Sequence, residues 1–253
     1  MKINDFLKQI ASDIKTTGKL LTKDEIYYKL KYIGIKKDTT LVNDIEAFYE
    51  TFLKSLNNSL VRHITRKTGQ KENTTHYIGY YTESRASYTE SCKVYFPVKY
   101  EYMISALKTI FSYLIRNSVE SVVKFHVKAT NENIVIRFYH ESDVMPFISY
   151  CNNNFILDDL LEPANPFIAT IYGIGIAKDD NTLSTYNNTL SEILADYFAL
   201  LKEHDALDKI SDLHFLDYVI KRKEVEENEI IEFDLEAIEK NIKAILSHSN
   251  PLN

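Results

Sequence analysis

Apolar residues recur at three- and four-residue spacing through the first quarter of the chain. Phe6, Ile10 and Ile14 fall on one helical face, with Asn4 as a candidate cap. Thr22-Lys23-Asp24-Glu25 opens a second periodic run through Ile26, Leu30 and Ile33 that stops near Gly34. Asp38 or Thr39 begins a third, through Leu41, Ile45, Phe48, Phe52 and Leu56. Residues 1–72 are therefore expected to form a helical N-terminal region. The polar stretch from Thr68 to Thr75 reads as a linker or long loop.

The period then shortens. Aromatic and polar residues alternate weakly from Tyr77 to Tyr88, and Lys93–Val98 reads as a strand. Met103, Leu107, Ile110 and Leu114 return to helical spacing within 100–116. Strands follow at 121–129 and 133–140, and the short connection Thr130–Asn133 favours a hairpin between them. Residues 143–152 read as a helix. Pro163 and Pro166 bracket a turn before the apolar, glycine-containing stretch 167–177. Thr185 or Asn188 begins a helix through Leu190, Ile193, Leu194, Tyr197 and Leu201, and 207–248 is charged and helical in period. The expected class is α+β: a helical N-terminal region followed by a small, mainly antiparallel sheet packed with helices. The expected division is 1–72 and 77–253.

Composition adds exclusions. With 45% hydrophobic residues the 253-residue chain can bury a sizeable core. Its net charge of −6 argues against broad nucleic-acid binding but leaves room for a local basic pocket. No apolar run is long enough to span a bilayer, and the first residues lack a signal-peptide apolar core. Cys92 and Cys151 give neither a disulfide framework nor metal spacing, which points to a reducing cytoplasm and leaves export by a specialised secretion system open. The histidines show no zinc-binding spacing, so no metal is expected. Gly173-Ile174-Gly175 lacks the third glycine of a dinucleotide fingerprint and reads as a turn. The acidic stretch Glu224–Glu229 reads as a solvated face. Lysine far outnumbers arginine, so Arg62, Arg66, Arg85, Arg116, Arg137 and Arg222 stand out as bidentate anion ligands.

The candidate chemistry lies in the strands. Side chains alternate faces along a strand, so Lys124, His126 and Lys128 share one face while Phe125 and Val127 share the other. Lys93 and Tyr95 share a face of the preceding strand, and Arg137 and Tyr139 share a face of the following one. Two ammonium groups beside an imidazole repel one another unless an anion, an acid or water sits among them. Three such faces together would make an anion-binding surface. The bland alternative is the wet side of a half-buried sheet, which carries alternating polar residues without any site.

Four segments carry a family likeness: Cys92-Lys-Val-Tyr-Phe-Pro-Val-Lys99, Lys124-Phe-His-Val-Lys128, Ile134-Val-Ile-Arg-Phe-Tyr139 and Asn165-Pro-Phe-Ile-Ala-Thr-Ile-Tyr-Gly-Ile-Gly-Ile-Ala-Lys-Asp179. Together they resemble the HopA-type effector family over roughly 40% of the chain. The strand–helix–strand–strand order also looks like the OspF/SpvC phosphothreonine lyases. The first family includes components of class V lanthipeptide and thioamitide biosynthesis. The resemblance implies a lyase that eliminates phosphate from a precursor peptide phosphorylated by a Ser/Thr kinase-like partner, without a cofactor. It implies Lys128 as base and Lys93 at the phosphate; the residues of the strand faces add His126 or Tyr95 as candidate acid, and Lys124, Arg137, Tyr139 and Arg85 as candidates around the phosphate. Tyr95 stands where the lyases have a histidine, Arg137 where they have a tyrosine, and Tyr139 where they have a lysine. The connection Thr130–Asn133 and the stretch Ser184–Leu190 lack two arginines that the families carry. Two other readings therefore stay open. One is a degenerate module that binds phosphopeptide or kinase. The other is a secreted effector acting on host proteins.

Overall fold

Two kinds of periodic sequence sort into two compact units in the computed structural model of the chain. One unit gathers Met1–Ile33, Ala164–Ala169 and Ala177–Asn253, and the other Gly34–Pro163 and Thr170–Ile176. The structure describes residues 2–31, 33, 45–56, 65–68, 75–80, 92–126, 133–154, 165–178, 185–226 and 235–248. The α+β class expected from sequence is what the fold shows. The units draw the division differently from 1–72 and 77–253, because the first two helices share a unit with the last three.

The helical unit holds α1 (Ile3–Thr17), α2 (Lys23–Lys31), α6 (Tyr186–Glu203), α7 (Asp212–Glu226) and α8 (Leu235–His248). Ile3, Phe6, Leu7, Ile10 and Ile14 recur along one face of α1 and are all buried. Asn4 lies inside α1 rather than capping it; Lys2 is the cap. Gly18 ends the helix in the left-handed region, φ 68°, donating its N–H to the Ile14 carbonyl. At the start of α2, the Thr22 N–H donates to the Glu25 carboxylate (2.7 Å) and the Glu25 N–H to the Thr22 hydroxyl (3.3 Å), a reciprocal capping box. Lys29 pairs with Asp13 and Lys23 with Glu192, tying α2 to α1 and α6. Rings of Phe6, Phe167, Phe215 and Tyr197 meet edge to face through the middle.

The second unit is built on a sheet of order β1-β2-β4-β5-β3-β7-β6. Its strands are β1 (Thr65–Thr68), β2 (Thr75–Tyr80), β3 (Cys92–Phe96), β4 (Ser121–His126), β5 (Ile134–Phe138), β6 (Ala169–Ile171) and β7 (Ile174–Lys178). The pairs β1–β2, β2–β4, β4–β5 and β5–β3 are antiparallel. Strands β3 and β4 are therefore parallel with β5 between them, and parallel strands need a crossover connection. That crossover is α4 (Met103–Arg116), whose Met103, Leu107, Ile110, Phe111 and Leu114 are buried. With α3 (Ile45–Ser55) and α5 (Val144–Asn154) it contributes to one core with Val94, Phe96, Val123, Phe125, Ile134, Ile136 and Phe138 of the sheet. Phe52, Phe111 and Phe125 form one ring cluster of that core, and Phe96, Phe138 and Phe147 another.

One expected element changes, and other expectations fall outside the described residues. Residues 65–68, expected within the helical region, form β1 because they pair with β2. The stretch expected as a linker joins these two strands, and its residues 69–74 lie outside the described residues. Residues 38–44, where the third helix was expected to start, lie outside them as well, as do Pro163 and Glu227–Glu229. The glycine-containing stretch forms the β6–β7 hairpin. Its turn residues Tyr172 (φ 52°) and Gly173 (φ 77°) both take the positive φ that a two-residue hairpin turn favours.

Asn133 fastens the start of β5 to the segment after β3. Beyond Phe96, paired with Ile134, comes Pro97, which has no N–H to give. The Asn133 side chain takes over: its Oδ1 accepts from the Val98 N–H (3.0 Å) and its Nδ2 donates to the Val98 carbonyl. Asn133 is buried, so truncation would leave both backbone groups of Val98 without these partners. Asn133→Ala should cost about 1–3 kcal/mol. Urea unfolding followed by circular dichroism should show the lowered midpoint at unchanged slope, and an unchanged midpoint would refute the role.

Candidate functional site

The strand register decides which side chains share a surface. Directly opposed residues lie on the same face of a sheet. Lys93 of β3 faces Arg137 of β5, which faces Val122 of β4 and then Gly79 of β2. The next row runs Tyr95, Val135, Lys124, Tyr77 and, at the sheet edge, Lys67 of β1. The third row pairs His126 with Thr75. Lys93, Tyr95, Lys124, His126 and Arg137 thus occupy positions on one face. The core residues Val94, Phe96, Val123, Phe125, Ile134, Ile136 and Phe138 occupy the other.

Burial grades across this face. Lys93 (9% exposed) and Tyr95 (6%) are buried, whereas Val122, Lys124, Val135, Arg137 and Tyr139 are half-buried. All five residues of β3 are buried, so this strand is covered on both sides. Strands β4 and β5 alternate buried and half-buried positions. Tyr139 follows Phe138 at the end of β5. Lys128 and Arg85 lie outside the described residues, and His126 is placed by its backbone position alone.

A cation opposite a cation on adjacent strands is destabilising by itself. A dianion between Lys93 and Arg137 would reverse that sign, because each headgroup then meets opposite charge at short range. The guanidinium can hold a phosphate through two parallel N–H bonds and the ammonium supplies a compact point charge. The buried Tyr95 phenol, one row along, adds a neutral donor. A phosphoryl group is the kind of ligand whose charge and acceptor oxygens would suit these residue types.

The helical unit carries a second polar group of residues that sequence reasoning did not single out. Asn165 Nδ2 donates to Asn187 Oδ1 (2.7 Å), the Phe167 N–H donates to Asn165 Oδ1 (3.0 Å), and the Tyr186 hydroxyl donates to the Phe167 carbonyl. Asn241 Oδ1 accepts from the Ala169 N–H (3.3 Å). Burial pushes the Tyr186 phenol up, holding it as a neutral donor. These bonds satisfy backbone groups between 165 and 169, so they read as structural. Only the run of short polar residues at 184–191 in the sequence hinted at them. Among the described residues no cluster of His, Cys, Asp and Glu could hold a metal ion, and no helix is long and apolar enough to cross a membrane.

No family model and no curated protein sequence matches the chain. Solved structures do. The chain is similar to the effector protein from Pseudomonas syringae pv. tomato strain DC3000, with a TM-score of 0.58 at 12% identity, covering 85% of this chain and 89% of that one. It is also similar to the effector protein from Pseudomonas syringae pv. syringae strain 61, with a TM-score of 0.56 at 13% identity, covering 86% and 92%. At these identities the likeness is one of fold.

Cys92 and Cys151 are both buried, and burial pushes the Cys151 thiol up, away from the reactive thiolate. A thiol nucleophile therefore does not belong to this face. Under native conditions neither cysteine should show rapid labelling by a disulfide reagent, and both should react in denaturant. A native burst of one equivalent would contradict the buried placement.

Proposed function

We propose that the chain binds phosphorylated serine or threonine side chains on the cationic sheet face and eliminates the phosphate to leave a dehydroamino acid. The observation that carries this reading is the cross-strand pairing of Lys93 with Arg137, with Tyr95 in the adjacent row and the Lys93 end of the face buried. A single-sign pair of this kind suits a dianionic group better than a neutral or cationic one. The resemblance to phosphothreonine lyases adds the reaction.

In that reaction a base takes the Cα proton of the phosphorylated residue. The C–H electron pair becomes the Cα–Cβ double bond, the Cβ–O bond breaks, and its electrons leave on the phosphate oxygen. Lys128 is the proposed base, two positions beyond the end of β4. It must be neutral to act, and neighbouring cations favour the neutral form. Lys93 and Arg137 stabilise the charge that gathers on the departing phosphate, with Lys124, Tyr139 and Arg85 as further proposed contacts. Tyr95 or His126 protonates the bridging oxygen.

Two settings fit this chemistry. One is peptide biosynthesis beside a kinase-like partner that phosphorylates the precursor peptide, the setting that the family resemblance implies. The effector proteins whose fold the chain shares favour an alternative, in which the phosphorylated substrate belongs to a host. The absence of two family arginines favours a further reading, a module that holds the phosphopeptide without turnover.

Incubation with a phosphothreonine peptide should give a product lighter by one phosphoric acid, read by mass spectrometry. Lys128→Ala should slow that loss by about 10²- to 10⁴-fold, the usual contribution of a general base, while still binding the peptide. Lys93→Ala and Arg137→Ala should weaken binding itself. Tight binding with no mass loss in the unaltered protein would select the binding module. Absence of both binding and mass loss would sink the phosphate reading.

A further inference from the structure

We infer that His140, held by the Glu120 carboxylate, is a further phosphate ligand beside Arg137, with Glu120 as its positioning residue. The inference rests on the reading of the Lys93–Arg137 row as the phosphate subsite. Its own support is a carboxylate–imidazole pair that the strand register brings to the same end of the face.

Ser121 opposes Phe138 at the last rung between β4 and β5, so Glu120 and Tyr139 come next along the two strands. Val119 and Val123 belong to the core and Ser121 is buried, which leaves Glu120 with Val122 on the cationic face. Glu120 is then the diagonal neighbour of Arg137, roughly 7–8 Å away and within reach of long side chains. Beyond Phe138 the chain bends at Tyr139, and His140 Nε2 lies 3.6 Å from Glu120 Oε2. The Glu120 side chain is 16% exposed and that of His140 56%. The imidazole therefore meets a half-buried carboxylate of the cationic face while much of the ring stays open to solvent.

With Nε2 toward Glu120, Nδ1 is the nitrogen that remains for a ligand. A charged imidazole donates from both nitrogens, so it can serve Glu120 with one and a phosphate oxygen with the other. Three residues of extended chain separate Arg137 from His140, roughly 10 Å. Two long side chains with a phosphoryl group between them bridge such a gap. A carboxylate this close to a dianion would by itself oppose binding. Behind an imidazole it does the reverse, because it fixes the ring and supplies counter-charge when the ring is protonated. The sign of the Glu120 contribution thus separates a positioning residue from a bystander charge.

Binding is measured by fluorescence anisotropy with a peptide carrying the phosphonate analogue of phosphothreonine. A methylene there replaces the bridging oxygen, so no phosphate can be eliminated. The same peptide with plain threonine is the control. His140→Gln should weaken phosphonate binding about two- to fivefold, the range of one partly solvated charged contact. Glu120→Gln should weaken it as well, although it removes a negative charge. In the His140→Gln background the same Glu120 substitution should instead tighten binding. Unchanged binding in His140→Gln, or unchanged or tighter binding in Glu120→Gln alone, would overturn the inference and leave the phosphate subsite standing. Weakening by Glu120→Gln in both backgrounds alike would overturn it too. A phosphonate peptide that binds no better than the threonine control would overturn the subsite and this inference together. Should Glu120→Gln fail to fold, as read by circular dichroism, His140→Arg decides: it should keep the binding that His140→Gln loses, and an equal loss in both would refute a ligand at this position.

Discussion

The register of β4 against β5, and of β5 against β3, is the constraint on which the rest of the second unit depends. Side chains alternate with a period of two, so a slip of one residue would send every phenylalanine to the cationic face and every lysine into the core. Phe125 pairs at Ile134, Val123 at Ile136, and Val94 at Ile136 from the other side. Burying those apolar side chains against α3, α4 and α5 is what holds the strands at this setting. At ~25 cal/mol per Å² of apolar surface, exposing several of these rings at once would exceed the whole stability of an ordinary domain. The positions of Lys93, Lys124 and Arg137 are thus a consequence of what the opposite face buries.

The cations are not placed evenly with respect to water. Lys124 and Arg137 stand on strands that alternate buried and half-buried positions, which any sheet with one wet side would show. Lys93 is different, because β3 is buried at every position and a lysine there needs partners for its ammonium.

Much of this was legible in the sequence, and the gaps have physical causes. The period-two runs at 121–126 and 134–138 and the helical runs at 103–116 and 186–203 predict their elements, because each buries one face. Same-face grouping within each strand follows too. What alternation cannot give is which strands are neighbours: β5 separates β3 from β4, and that order makes Arg137 the partner of Lys93. Strand β1, at the sheet edge, was missed because Thr65-Arg66-Lys67-Thr68 has no apolar alternation. The union of α1 and α2 with the last three helices was missed because it rests on long-range packing such as Lys23–Glu192 and Lys15–Asp208. The amide of Asn133 read as part of a connection; its pairing with Val98 follows only once Pro97 is seen to interrupt the β3 edge.

The fold likeness to two effector proteins and the family resemblance in the strand segments bear on different questions. A fold shared at 12–13% identity fixes the arrangement of elements and says nothing about which side chains occupy the sheet. The chemistry has to come from the residues themselves. Where the lyases that the strands resemble have histidine, tyrosine and lysine, this chain has Tyr95, Arg137 and Tyr139, which keep a cation and a phenol but not the imidazole. An anion responds to the summed field of the groups around it, so shuffling cations among adjacent strand positions preserves binding more readily than it preserves proton transfer, which needs one base at one distance. Phosphate recognition is therefore the sturdier part of the functional reading, and the elimination step is the part that hangs on Lys128.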